Sequence, residues 1–189
     1  MKAKSTPSVR AVTETALCAA LIAVTAMISI PFPVPFTLQI FGVYFALFYL
    51  GGVRGAVAVA VYILLGAVGL PVFSGFSGGF GRLFDSTGGF IWGFLLLSLV
   101  YLFLSAVLRI EWGRLIAATV SLIAFYAFGS VWYAAFYTDG GIGSYLGSLL
   151  ITVAPFVLPD AVKLTLAYAL SARLHRIFCK KTQEIRKKD

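Results

Sequence analysis

Four stretches of this chain carry no charged residue: Thr15 to Val53, Gly55 to Gly81, Ser86 to Leu108 and Leu115 to Tyr137. Each is long enough to cross a hydrocarbon core of about 30 Å as a helix rising about 1.5 Å per residue. A soluble domain of this length has no use for so many. Backbone polar groups in lipid must be satisfied within the segment, which favours helices. The residue-by-residue alternation of a membrane barrel is absent. The chain is therefore expected to be an all-α polytopic membrane protein.

Six helices are expected, at about 11–30, 37–51, 55–68, 87–109, 114–137 and 159–178, in one membrane domain over residues 1–189. A shorter apolar segment, about 144–154, precedes the last helix. The connecting regions 31–36, 69–86 and 138–158 then share one side. The second and third helices are short for a full crossing, which calls for tilt or shelter by neighbours. "GGVRG", Gly51–Gly55, is the turn between them. The first apolar run follows Lys2, Lys4 and Arg10 and resembles a signal peptide. It has no convincing small-residue cleavage site and is read as a retained helix.

An even number of crossings puts both termini on one side. Thirteen of the fifteen lysines and arginines fall there, leaving only Arg82 and Lys163 on the other. Positive charge marks the cytoplasmic side, so both ends are placed in the cytoplasm. The net charge of +8 comes from span ends and a basic tail, "KKTQEIRKKD". It forms no basic face of the kind nucleic acid needs. That tail is either solvated or a contact for anionic lipid. Cys18 and Cys179 have no metal or redox spacing.

Catalytic groups are scarce. No phosphate-binding G-x-x-x-x-G-K-[ST] loop occurs. The single histidine, His175, lies between Arg173 and Arg176 at the inner end of the last helix. A serine nucleophile would have no second histidine to serve it. A membrane enzyme fits poorly. A pore would need a continuous polar path, and the mid-membrane positions are almost purely apolar.

The outer side is different. In "PDAVK", Pro159–Lys163, an acid and a lysine three residues apart share a helix face. Two readings stand: a capping Asp160 with a snorkelling Lys163, or a polar anchor for a ligand. In "PFPVPFTLQ", three alternate prolines favour a stiff, extended segment. Thr37 and Gln39 give it a polar edge. "GLPVFSGFSGGFGRLFDSTGG", Gly69–Gly89, holds seven glycines, four phenylalanines and two charges. Glycine permits close backbone approach, and the aromatic rings bind the loop to apolar surroundings. Such a long loop is expected to be a lid or a binding loop. With Phe73, Trp132, Phe136 and Tyr137, this side offers apolar walls and few polar groups, the make-up of a small-molecule pocket. In helix one, Ala16, Ala19, Ala20, Ala23 and Ala26 form a small-residue side. It suits either internal packing or a partner helix in lipid.

Together these motifs resemble the BioY family, the biotin-specific substrate-binding (S) components of energy-coupling factor (ECF) transporters. The resemblance is carried by "VPFTLQ" (Val34–Gln39), "GLPVFSGFSGG" (Gly69–Gly79), "STGGFIWGF" (Ser86–Phe94), "PFVLPDAVK" (Pro155–Lys163) and the alanine pattern "ALCAALIA". It spans essentially the whole chain. It implies a six-helix S-component fold in a bacterial or archaeal cell membrane, capture of biotin from outside, no enzymatic activity and no cofactor. It also implies delivery inward with a transmembrane T component and cytoplasmic ATPases. By the same resemblance, Asp160 and Lys163 become polar ligand contacts, Gln39 a pocket residue, and Gly75, Gly78 and Gly79 the lid. Ala19 and Ala23 become the T-component face. Asp85 and Ser86 stand where the family pattern has a Gly-Pro pair, and Arg82 is an unexpected base. Arg82 and Asp85 can pair with each other across the turn. The ureido group of biotin suits a carboxylate such as Asp160, and its own carboxylate suits Lys163 or Arg82. The alternative reading is an S component or carrier for another small anionic vitamin or metabolite.

Overall fold

A computed structural model describes residues 8–31, 34–108, 110, 112–137 and 142–186; for Tyr137, 142–144 and 178–186 it describes backbone alone. Among the described residues the chain is mostly helical. Its helices are α1 (Val9–Met27), α2 (Gln39–Leu50), α3 (Gly52–Ala67), α4 (Gly88–Val107), α5 (Gly113–Tyr137), α6 (Ile142–Thr152) and α7 (Val157–Arg186). Two short strands, β1 (Ser29–Ile30) and β2 (Phe36–Thr37), pair antiparallel with Ser29 opposite Thr37 and Ile30 opposite Phe36. Of the proline-rich segment expected to be extended, Phe36–Thr37 form β2, and residues 32 and 33 lie outside the described residues. The β1–β2 hairpin joins α1 to α2.

α1, α4 and the Gly113–Phe136 part of α5 are long and apolar enough to cross a membrane, at 19, 20 and 24 residues. The pair Tyr145–Thr152 and Val157–Ile177 passes as a fourth, broken span bent by 50°. α2 and α3 are shorter. At 12 residues, α2 is only about 18 Å long. Ten of those 12 residues are buried. A helix apolar on every side is stable only when neighbours cover it. α1, α3 and α7 pack on α2, while α4 and α5 form the most extensive helix pair. The shelter expected for α2 comes from this packing.

Apolar side chains also point outward on the enclosing helices, among them Leu17, Val24, Leu64, Phe103, Ile123, Leu150, Leu158 and Leu166. Such a surface is unusual in water and natural in lipid. Gly51, at φ 84°, makes the whole junction between α2 and α3, a conformation that costs other residues strain. At the end of the bundle that holds the start of α1, Glu14 accepts from Arg10 at 2.8 Å and from Arg54 of α3 at 3.2 Å. This ties the first and third helices. Their opposite ends, with the hairpin, the glycine-rich loop and the α6–α7 bend, surround the cavity.

Candidate functional site

The described residues enclose a cavity of about 730 Å³, its open mouth included. Its walls are mainly aromatic and aliphatic: Val34, Ile40, Phe73, Phe90, Ile91, Phe94, Phe125 and Phe156. Its polar groups are few: Thr37, Gln39, Tyr62, Ser74, Ser77, Arg82, Thr87, Tyr126, Thr152, Asp160 and Lys163.

Asp160 and Lys163 are both buried, at 2% and 5% exposure. Lys163 Nζ donates to Asp160 Oδ1 at 2.6 Å. The three-residue spacing on α7 puts them on one face, and the start of the helix favours the acid there. Removing two ions from water costs several kcal/mol each, and only close pairing with further hydrogen bonds offsets it. Those bonds are present. Lys163 also donates to the backbone carbonyl of Thr37 at 2.7 Å and stands 3.9 Å from the centre of the Phe36 ring. Tyr126 of α5 donates its hydroxyl to Asp160 Oδ2 at 2.6 Å. Phe36 in turn stacks on Phe156 at 5.6 Å. The hairpin, α5 and α7 thus meet at one charge pair. Lys163 does not snorkel to water.

Gln39 opens α2 and lines the cavity, buried, with Tyr62 of α3 beside its amide. Its Nε2 is buried without a hydrogen-bond partner. Thr37 contributes its side chain to the lining and accepts from the Gln39 N–H at 3.3 Å.

The glycine-rich loop is more firmly seated than a free lid. Phe73 turns inward, almost fully buried, and sits edge-on to Tyr62 at 5.6 Å. Its ring occupies the space a side chain at Gly66 would need. Phe73 and Ser77 exchange backbone bonds at 2.9 and 3.3 Å, closing a tight loop with Gly75 at φ 70°. Gly78 lies against the Leu70 carbonyl. Gly79, at φ 100°, donates its N–H to the Gly66 carbonyl at 2.7 Å. Phe73, Ser74 and Ser77 face the cavity, while Gly75, Gly78 and Gly79 shape the loop behind them.

Arg82 lines the mouth with its side chain 44% exposed, and pairs with Asp85 Oδ2 at 2.6 Å. It also donates to the Ser77 hydroxyl at 3.2 Å. Asp85 Oδ1 accepts from the Thr87 N–H and hydroxyl, both at 2.9 Å. Two indoles hold this second half of the loop. Trp92 donates to the Leu83 carbonyl at 3.2 Å, and Trp132 to the Asp85 carbonyl at 2.9 Å. Trp132 therefore sits behind the loop, against Gly89, and is not part of the cavity lining. Tyr137 ends α5, and its side chain lies outside the described residues, as do those of Cys179 and the basic tail.

The alanines of helix one divide. Ala19 and Ala23 are buried inside the bundle, whereas Ala16 and Ala20 are exposed. The expected partner face on Ala19 and Ala23 thus points into the protein. Tyr126 was missed from sequence, because a tyrosine within an apolar helix reads as packing. Its only signal was that a buried tyrosine hydroxyl wants a partner.

The BioY family model matches residues 1–180. The chain belongs to the BioY family. It is 40% identical over 159 residues to a biotin transporter BioY of Thermotoga maritima, covering 84% of this chain and 91% of that one. It is 36% identical over 175 residues to a probable biotin transporter BioY of Pyrococcus horikoshii, covering 92% and 98%. Its structure is similar to a crystal structure of the S component for biotin from an ECF-type ABC transporter. There the TM-score is 0.76 and the identity 26%, over 89% of this chain and 92% of that one. An S component of a bacterial ECF transporter shares the fold at a TM-score of 0.51 and 15% identity, over 92% of this chain and 97% of that one. The family is one of multi-pass transport proteins.

Proposed function

We propose that the protein is the biotin-binding S component of an ECF transporter in the cell membrane. It captures biotin from outside and delivers it inward with a T component and cytoplasmic ATPases. The observation that carries this is the buried Asp160–Lys163–Tyr126 cluster at one end of an aromatic cavity. Biotin has the matching parts. A ureido ring brings two N–H donors and a carbonyl, a thioether ring and an aliphatic chain bring apolar surface, and a carboxylate ends the chain.

The ureido ring goes to the buried polar end. Asp160 accepts its N–H groups, and Lys163, Thr37 and Gln39 complete that end. The bicycle and chain lie along the aromatic walls. Between the two cations that could meet the carboxylate, Arg82 is favoured. Lys163 is committed to Asp160 and the Thr37 carbonyl, deep in the protein. Arg82 is at the mouth, partly exposed, and can share its guanidinium between Asp85 and a ligand anion.

Six crossings are proposed, α1 to α5 and α7, with α6 as a bent lead-in to the last. Both termini then lie in the cytoplasm, in line with the basic-residue bias. A partner helix in lipid would meet α1 on its exposed Ala16–Ala20 side, and Ala19 and Ala23 would support that side from within. Mass spectrometry of the small molecule released on denaturing the purified protein tests the assignment. Biotin is expected. A stoichiometric amount of a different metabolite would overturn it.

A further inference from the structure

We infer that Tyr126 is a positioning residue that makes the buried end of the pocket selective for N–H donors. The inference rests on the biotin reading above and deepens it.

Asp160 is held from two directions. Lys163, one turn along α7, occupies Oδ1 at 2.6 Å. Tyr126, from α5, occupies Oδ2 at 2.6 Å. A carboxylate has about four lone-pair sites. Two are filled by the protein, and Asp160 lines the cavity with what remains. A hydrogen bond from a different helix also fixes the rotation of the carboxylate, which Lys163 alone would leave free.

The hydroxyl proton is committed as well. Tyr126 has one proton and spends it on Asp160. Its oxygen keeps only lone pairs, and Tyr126 also lines the cavity. Asp160 and Tyr126 therefore present acceptors and no donor to whatever binds between them. Lys163 has two of its three donors engaged, by Asp160 and the Thr37 carbonyl. A ligand carboxylate set at this end would face two acceptors. A urea-like edge bearing N–H groups would satisfy them. Gln39 lines the same cavity, and its unpartnered Nε2 would be satisfied by a carbonyl acceptor. A buried polar site left unpaired by the wrong ligand is a strong basis for rejection.

The test titrates the wild type and Tyr126→Phe with biotin and with biotin methylated on its ureido nitrogens. Tyr126→Phe keeps the ring and removes only the hydroxyl. Affinity for biotin is expected to fall tenfold or more, while the weaker affinity for the methylated ligand changes less than threefold. Equal losses for both ligands would make Tyr126 a packing residue and overturn the inference, as would no loss for biotin. A measurement on the wild type alone guards against a poorly folded variant. Ureido methylation should weaken binding there by a hundredfold or more, and a loss under tenfold would overturn the inference. Failure of the wild type to bind biotin at all would instead bring down the functional reading on which it rests.

Discussion

The ammonium of Lys163 bonds at 2.7 Å to the backbone carbonyl of Thr37, 126 positions earlier in the chain. One side chain of α7 thereby ties the β1–β2 hairpin to the cavity while pairing with Asp160. The proposed ligand site and the hairpin anchor share one cation.

Stability and binding should separate at this pair. Asp160→Asn or Lys163→Met leaves a buried partner charge uncompensated, at a cost of about 3–5 kcal/mol. Both single variants should unfold at clearly lower temperature in detergent and bind biotin at least tenfold more weakly. The double variant Asp160→Leu/Lys163→Met removes both charges. It should recover most of the lost unfolding temperature and bind no biotin. A double variant that binds would show that the pair is structural only.

Arg82 should act on the ligand's acid group alone. Arg82→Gln is expected to weaken biotin binding about tenfold, the scale of about 1.4 kcal/mol for one exposed charged contact. Binding of biotin amide, which lacks the carboxylate, should be unchanged. Parallel titrations check this. An equal loss for both ligands would mean that Arg82 only holds the loop through Asp85 and Ser77.

Trp132 should control how long the loop stays seated. Trp132→Phe removes the bond to the Asp85 carbonyl, worth about 1 kcal/mol. The expected outcome is a dissociation rate raised several-fold with little change in association. Stopped-flow measurement of biotin release would show it. An unchanged release rate would mean that the other contacts hold the loop by themselves.

Much of this was legible in the sequence, for a physical reason. Charge-free runs allow few structures in lipid, so the helices of the bundle stand close to their expected places. The pairing of Asp160 with Lys163 inside the protein was legible because ions in an apolar helix are costly and tend to pair. Tyr126 was not, since nothing local to residues 125–127 says that its hydroxyl meets an acid 34 positions away. Trp132 was expected on the pocket wall, but side-chain direction around a helix apolar on every side leaves no trace in periodicity. Ala19 and Ala23 show the same limit. Alanines at spacings of three and four lie on both edges of one stripe, and only the packing of α1 on α2 and α3 shows which edge is inside.

That division of the alanines is testable. Ala20→Trp adds bulk on the exposed side, so folding and biotin binding should survive while assembly with the energising module fails. Ala23→Trp overpacks the bundle at a cost of about 1–3 kcal/mol or more. Its unfolding temperature should drop. Co-purification with the module and thermal unfolding report the two effects. The reverse pattern would put the partner face on Ala23.

The most direct measurement is a calorimetric titration of the detergent-purified wild-type protein with biotin. Saturable binding of one biotin per chain is expected. Heat that never saturates, or no heat together with no retained labelled biotin, would contradict it.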